Sequence, residues 1–252
     1  KDEPIRFDRK YSVLKTEQDK PGVFVRALFP LVEEVYRSFF WTQLADCISK
    51  DEGNLLTLCR KSETTSDTRG RIFESIVINR LIVKKVTGSE MNLLLEEADE
   101  SFRFERTGEL FEKLDPLEGN SYPKLDPSDV NTLYVPMSSN FPAVDAIIHV
   151  DKVVIAIQVH TSHSHGRVDN LLNAKAESAG WLDKVNAIIL VYLSPTPGNL
   201  KRKLDTESSQ TKPSSQRITR QSSSETACSI NLFTLFCTIK DFKCLKDIQW
   251  DA

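Results

Sequence analysis

Residues 140–165 read NFPAVDAIIHVDKVVIAIQVHTSHSH and contain two apolar runs joined by one polar pair. The runs, 141–150 and Val153–Val159, are rich in Val and Ile and are short enough for β-strands. Asp151 and Lys152 between them suit a two-residue turn. This stretch therefore predicts a β-hairpin around which the rest of the chain is organised.

Polar side chains on this hairpin are predicted to converge. Side chains alternate across a strand, so Gln158 and His160 share one face, and Asp145 lies on the face opposite Ala146 and Ile148. A carboxylate in an apolar strand is unfavourable unless it is paired, hydrogen-bonded or metal-bound. The pattern favours a site made by Asp145, Gln158 and His160, and the alternative is an Asp at a strand end or edge that faces water.

The order of these residues resembles the motif of PD-(D/E)XK nucleases, in which an Asp precedes a signature on the next strand. Here Asp145 stands thirteen positions before Gln158. The longer string, from Asn140 through Asp145 and Gln158 to Ser162 and His165, is similar to the nuclease-like domain at the C-terminal end of Crinkler effectors and of retrotransposon-hot-spot proteins. The likeness covers residues 69–191 and implies an α/β fold with a restriction-endonuclease-like core, a mixed sheet flanked by helices.

The resemblance also implies a function, that of a Mg²⁺-dependent DNA endonuclease domain in a secreted effector that acts in the host cell nucleus. DNA would be the partner, with a host nuclear protein as a further candidate. Asp145, Glu74 and Gln158 would hold the Mg²⁺ and, with His160, form the catalytic set. Gln158 stands where the motif often has a carboxylate, and His160 stands where it has Lys.

Residues 69–85 are predicted to form the helix that carries Glu74, with Gly88 beyond it as a stop. Glu74 shares a helical face with Val77, Ile78 and Leu81, at the rim of the buried stripe. It is either a first-turn Glu favoured by the helix dipole or, as the family's R-G-x-x-F-E helix implies, an acid that joins Asp145. Arg69, Gly70, Phe73 and Glu74 match that helix.

Two further residues are candidate contacts to nucleic acid or to the catalytic groups. The resemblance gives this role to His165. Lys175 lies beside the apolar face of a helix predicted over 168–182, and its ammonium either extends to water, the favoured interpretation, or points over the sheet towards Asp145.

The remaining pattern predicts an α/β domain at 66–252 after an N-terminal helical segment at 1–65. That segment could be the tail of an upstream NTPase-like module, although it has no G-x-x-x-x-G-K-[ST] sequence. A helix between two apolar strands implies a parallel crossover. Helices are predicted at 30–40 and 55–60, and strands at 101–106, 132–136, 186–193 and 230–238. Most of 90–130 is predicted as loops and 195–227 as a disordered insertion. The tail to Trp250 is predicted to cover an edge of the sheet.

Length, charge and cysteine content limit the classes of protein to which the chain can belong. The 252 residues suit one main domain, and a net charge of −3 argues against a wholly basic nucleic-acid coat while leaving a local basic groove open. Five cysteines without C-x-x-C spacing favour core thiols in a reducing compartment. No apolar run approaches the ~20 residues that span a bilayer, so no membrane segment is predicted. The chain begins with Lys and shows no signal-like run, which suggests a fragment.

Two other interpretations stay open at this point. In one, the nuclease-like domain is catalytically inactive and binds DNA or a host protein through the same cleft. In the other, His160, His163 and His165 bind zinc, although no Cys is near and a polar loop is the favoured alternative. Neither the substrate preference nor the oligomeric state is predicted.

Overall fold

We describe a computed structural model of the chain over residues 50–61, 64–96, 102–117, 119–126, 130–136, 141–161, 168–195, 214–219 and 229–250. All of these residues belong to one compact unit, residues 47–252. The helix predicted at 30–40 and the rest of the predicted N-terminal segment up to residue 49 lie outside the described residues.

One mixed sheet forms the centre of the unit. Its seven strands lie in the order β1, β2, β3, β4, β5, β7, β6. Neighbours β1/β2, β4/β5 and β5/β7 are parallel, and β2/β3, β3/β4 and β6/β7 are antiparallel. The strands are β1 Lys113–Leu117, β2 Thr132–Pro136, β3 Ala146–Val150, β4 Val153–Val159, β5 Ala187–Ser194, β6 Ser214–Thr219 and β7 Ser229–Thr238.

The predicted hairpin is confirmed as β3 and β4, which pair from Ala146↔Ile157 to Val150↔Val153. Asp151 in its turn has φ 49°, a left-handed conformation that Asp tolerates better than most residues. All of β3 and β5 is buried, as expected for Val/Ile-rich strands covered on both faces. The α/β class and the parallel crossover from β4 to β5 are therefore confirmed.

Helices surround this sheet. They are α1 over residues 50–60, α2 Ser66–Lys84, α3 Gly88–Glu96 and α4 Asp169–Ser178, followed by a short 3₁₀ turn at Trp181–Asp183. The helix predicted over 168–182 stops earlier because Gly180, at φ 72°, breaks it.

Each face of the sheet has its own packing layer. On one face, Leu172, Ala176 and Trp181 from α4 and the following turn pack in the same buried cluster as Val154 and Ile188. On the other, a second group of apolar side chains meets around a small void, and it comes from the sheet, from α2 and α3, and from the C-terminal tail. This group includes Leu81, Val86, Met91, Ile148, Ile155, Ile157, Val191, Leu193, Phe242 and Leu245.

The segment predicted as loops contains α3 and β1 instead. Thr87 and Glu90 form a capping box, since Glu90 N donates to Thr87 Oγ1 at 3.2 Å and Thr87 N donates to Glu90 Oε2 at 2.8 Å. Gly88, predicted as a stop after α2, is the first residue of α3. The strand predicted at 101–106 is wrong where the structure describes it, because 102–106 has no strand and the first strand is β1.

Two more predictions change at the C-terminal end. The tail packs on the α2 side of the sheet and not along an edge, with Trp250 against Phe73 at 4.4 Å between ring centroids. Six residues assigned to a disordered insertion, Ser214–Thr219, form β6, an edge strand on β7. Its polar sequence suits an edge strand, because the strand is held by backbone hydrogen bonds to β7 and has few apolar side chains to bury. The rest of that insertion lies outside the described residues.

Candidate functional site

Asp145 lies at the start of β3, where backbone and side chain both bond to β4. Its N–H donates to Ile157 O at 2.8 Å, and its Oδ2 accepts from Val159 N at 2.6 Å. These two bonds flank Gln158. The paired register of β3 and β4 ends at Ala146↔Ile157, so these bonds place Asp145 beside the end of β4 and close to the backbone of Gln158. The predicted convergence of the two side chains stays a prediction.

Glu74 reaches this end of the sheet from α2. Near the start of the helix, Gly70 lies against Thr161, beyond the end of β4. Further along, Leu81 lines the same void as Ile155 and Ile157. The helix therefore runs antiparallel to β4, and Glu74, one turn after Gly70, comes level with the last residues of that strand.

The Glu74 carboxylate lies close enough to Asp145 for its charge to shift the pKa of that residue. Burial, with the charge of Glu74 as the second cause, raises the pKa of Asp145 to about 8, and the bond from Val159 N acts in the opposite direction. Burial also raises the pKa of Glu74, and Arg71 partly offsets this shift. Each carboxyl is thus easier to protonate than usual, because desolvation disfavours the charged form of both, and at Asp145 the like charge of Glu74 adds to this effect.

Gln158 occupies the position between Asp145 and the next strand. It is partly buried, and it pairs in register with Tyr192 on β5. Its Oε1 is buried and has no hydrogen-bond partner among the described residues. A buried amide oxygen without a donor is unfavourable, so this atom is suited to accept from a donor or to coordinate a cation.

His160 is the first residue after the end of β4, and it is 3% exposed. Its N–H donates to Leu193 O at 2.8 Å, which extends the β4/β5 pairing by one residue. The ring is therefore inside the protein, where only a small molecule such as water could reach it. His163 and His165 lie outside the described residues, so both the predicted contact by His165 and the zinc alternative stay predictions.

Lys175 lies on α4 and is partly buried. Within the described part of the chain, no ion pair joins its ammonium to Asp145 or Glu74. The favoured interpretation, in which the side chain runs along apolar surface towards water, stays a prediction.

The structure adds a hydrogen-bonded pair that sequence reasoning missed. Tyr192 Oη donates to Asp169 Oδ1 at 3.0 Å and accepts from Val168 N at 2.9 Å, so it fastens the start of α4 to β5 beside Gln158. Asp169 and Tyr192 are both buried. A first-turn Asp was visible in the sequence, but only the β4/β5 register relates Tyr192 to Gln158.

Tyr122 is a second residue that the sequence did not single out. Burial raises the pKa of its phenol, and the charge of Asp145 adds to this shift. Its hydroxyl donates to Pro142 O at 2.9 Å, and its ring stacks on Phe141 at 5.3 Å between centroids. These contacts hold the segment that leads into Asp145.

The site has a limited set of metal-ligating groups. Among the described residues, no three His, Cys, Asp or Glu side chains are arranged to hold a metal ion. The carboxylates at this site are those of Asp145 and Glu74. Gln158 lies on the next strand in register with Tyr192, on the face of the sheet that α4 covers. Cys59, Cys237 and Cys244 are buried and form no disulfide among the described residues. No helix in the described ranges is long and apolar enough to cross a membrane.

Comparison with known proteins adds no relative: no protein-family model, no curated protein and no solved structure matches the chain. The likeness to Crinkler and retrotransposon-hot-spot domains therefore stays a prediction that rests on the residues quoted above. The site is interpreted below from its own chemistry.

Proposed function

We propose that the chain is a Mg²⁺-dependent endonuclease domain that acts on DNA at the end of β4. The observation that carries this proposal is the pairing of Glu74 with Asp145. Two partly buried carboxyls from different elements approach closely enough for one to raise the pKa of the other. Like charges held together away from water are unfavourable unless a cation or a proton compensates them.

The residues present fit a hard divalent cation. Mg²⁺ prefers oxygen ligands, usually one or two carboxylates with water and phosphate oxygens completing its shell. Asp145 and Glu74 supply the carboxylates, and the unpartnered Oε1 of Gln158 can supply a neutral oxygen. A bound Mg²⁺ would contribute neutralisation of charge on a phosphate and activation of water.

The chain's own groups have separate roles in this proposal. Val159 N holds one oxygen of Asp145 at 2.6 Å and so orients the carboxylate before any substrate arrives. His160 takes the position of the usual lysine. An imidazole titrates near neutral pH, so His160 would position or deprotonate water, but it lacks the permanent positive charge of Lys.

Cleavage of plasmid DNA tests this proposal. We expect nicking by purified protein with Mg²⁺ and none with EDTA. Glu74→Gln and Asp145→Asn should each reduce the rate by at least about 100-fold, since a missing ligand removes both charge and orientation. Lys152→Gln is the matched control, because Lys152 is exposed in the turn at the other end of the hairpin, and it should retain nearly full activity. Equal cleavage by wild type and Asp145→Asn would assign the activity to a contaminant.

A second candidate is an inactive nuclease-like module that binds DNA or a host protein. It is favoured by two residue types at the site, Gln158 where the motif often has an acid and His160 where it has Lys. Under this candidate, DNA binding survives Asp145→Asn and wild type does not nick plasmid. If Gln158→Glu then produces Mg²⁺-dependent nicking, the missing carboxylate explains the loss of activity.

The biological setting follows the resemblance only. Action inside a host cell nucleus, delivery as a secreted effector and contact with a host nuclear protein are part of the proposal. The experiments above test the chemistry and leave the setting to localisation studies of the full-length protein.

A further inference from the structure

Gly70 brings α2 unusually close to the end of β4. A Cβ atom added at Gly70 would lie 3.0 Å from Thr161 Oγ1, which is tighter than ordinary van der Waals contact. Gly53 in α1 shows the contrast, because nothing lies within 4 Å of a Cβ added there. A glycine inside a helix is about 1 kcal/mol less favourable than Ala. Glycine at position 70 therefore lowers the stability of the helix but lets α2 approach the end of β4 closely.

The contact between Gly70 and Thr161 lies about the same distance from Glu74 along α2 as it does from Val159 along the strand direction of β4. Glu74 follows Gly70 by four residues, a rise of about 6 Å along a helix. Val159 precedes Thr161 by two residues, a distance of about 6.6 Å along a strand. Because α2 runs antiparallel to β4, equal steps from the contact bring Glu74 level with Val159. The Val159 N–H is the group that holds the Asp145 carboxylate.

We propose that the contact between Gly70 and Thr161 sets the separation of Glu74 and Asp145. Gly70 and Thr161 are therefore positioning residues for the cation site. The inference rests on the proposed function for its consequence, the affinity for Mg²⁺. Its physical content, the spacing of the two carboxyls, does not depend on that function. A methyl group at Gly70 requires Thr161 or the first turns of α2 to shift by a few tenths of an ångström, and a shift of the helix moves Glu74 relative to Asp145.

The test compares Gly70→Ala in three backgrounds. Gly70→Ala alone keeps the clash with Oγ1. Gly70→Ala with Thr161→Ala removes the clashing atom, whereas Gly70→Ala with Thr161→Val keeps an atom of similar size at that position. Gly53→Ala controls for the gain in helix propensity. Mn²⁺ affinity is measured by calorimetry on each full-length protein, beside its melting temperature.

We expect Gly70→Ala to weaken Mn²⁺ binding about 10–100-fold, the range seen when outer-shell support of a ligand is lost. Thr161→Ala should restore most of that affinity and Thr161→Val should not, although all three proteins remain folded. A purely structural contact would lower the melting temperature without this pattern of rescue. Unchanged Mn²⁺ affinity in Gly70→Ala, with wild type binding normally, would overturn the inference and leave the endonuclease proposal intact.

A second measurement needs no metal. The variants Glu74→Gln and Asp145→Asn and their double variant are compared at about pH 9, above the pKa of Asp145. The difference between the change in melting temperature of the double variant and the sum of the two single changes reports the repulsion between the two carboxyls. This non-additivity should be smaller in the Gly70→Ala background than in the wild-type background, because Coulomb energy declines with separation. If wild type binds no Mn²⁺, the proposed site fails. An unchanged non-additivity then also overturns the spacing inference, and a reduced one upholds it.

Discussion

Asp145 is subject to two opposing effects, since burial and Glu74 disfavour its charge while the Val159 N–H favours it. Its pKa in the folded protein is about 8, against 3.8 as the ordinary value. Between these values the folded state binds a proton that the unfolded state does not. The contribution of Asp145 to stability is therefore fully present below about pH 4, declines as the pH rises, and is lost above about pH 8.

Asp145→Asn removes this pH dependence, because an amide stays neutral and its oxygen can still accept from Val159 N. We expect the melting temperature of the metal-free variant to equal that of wild type at about pH 4. At about pH 8.5 the variant should melt higher by on the order of 2–4 °C, the shift that corresponds to roughly 1 kcal/mol in a protein of this size. Thermal scans across this range, without divalent cations, measure the difference. A variant that is less stable at the higher pH would show that the carboxylate is already compensated in the folded chain.

At the scale of elements, α3 depends on a close backbone contact at its first residue. A Cβ added at Gly88 would lie 1.7 Å from Arg106 O, and Gly88 N donates to Gly108 O at 2.8 Å. The loop that passes under the start of α3 consists of backbone here and cannot rotate away. Helix and loop must therefore separate if any side chain is present.

Gly88→Ala should consequently destabilise the protein by about 3 kcal/mol or more, at the upper end of overpacking changes. Gly53→Ala, also in a helix but with open space around it, should instead stabilise by up to about 1 kcal/mol. Urea unfolding of both variants gives the comparison. Equal stability of the two would mean that the contact at Gly88 relaxes at little cost.

At the scale of the whole molecule, the C-terminal tail belongs to the core and not to an accessory segment. Leu245 is 0% exposed and lines the same void as Leu81 and Ile155. Cys244 N donates to the buried carboxylate of Glu90 at 3.1 Å, which ties the tail to the capping box of α3. The sheet is thus covered on this face by pieces from both ends of the described chain.

Leu245→Ala should destabilise the fold by about 2–5 kcal/mol, as expected for a buried leucine. Leu93→Ala is the matched control, because Leu93 is 61% exposed, and it should change stability by less than about 0.5 kcal/mol. Circular dichroism and tryptophan fluorescence should report one common unfolding transition for Leu245→Ala. Loss of the fluorescence signal alone would indicate a tail that unfolds separately.

Elements with a strong local pattern could be predicted from sequence alone. The run Val153–Val159 is a strand at the predicted bounds, and the apolar face at 168–182 and the run at 186–193 correspond to α4 and β5. Burial on both faces selects Val and Ile locally, so the residues themselves carry the signal. The α/β class follows from their alternation.

Elements stabilised by distant partners could not be predicted in this way. β1 contains Asp115 and Pro116, which read as a break, yet its pairing with β2 forms an edge strand where Pro is tolerated. β6 is polar throughout apart from Ile218, and its hydrogen bonds come from β7. The α3 capping box was readable in the sequence, but the close approach of Arg106 that requires Gly88 was not.

The candidate site divides in the same way. The order of residues in the hairpin determined that Asp145 lies beside the end of β4, because a short turn fixes the register of the two strands. Glu74 was a candidate by its place on a helix, and nothing local could bring it to Asp145. Only the tertiary structure decided that, because the distance between the two carboxyls depends on how closely α2 packs on β4, and Gly70 and Thr161 meet only in the folded chain.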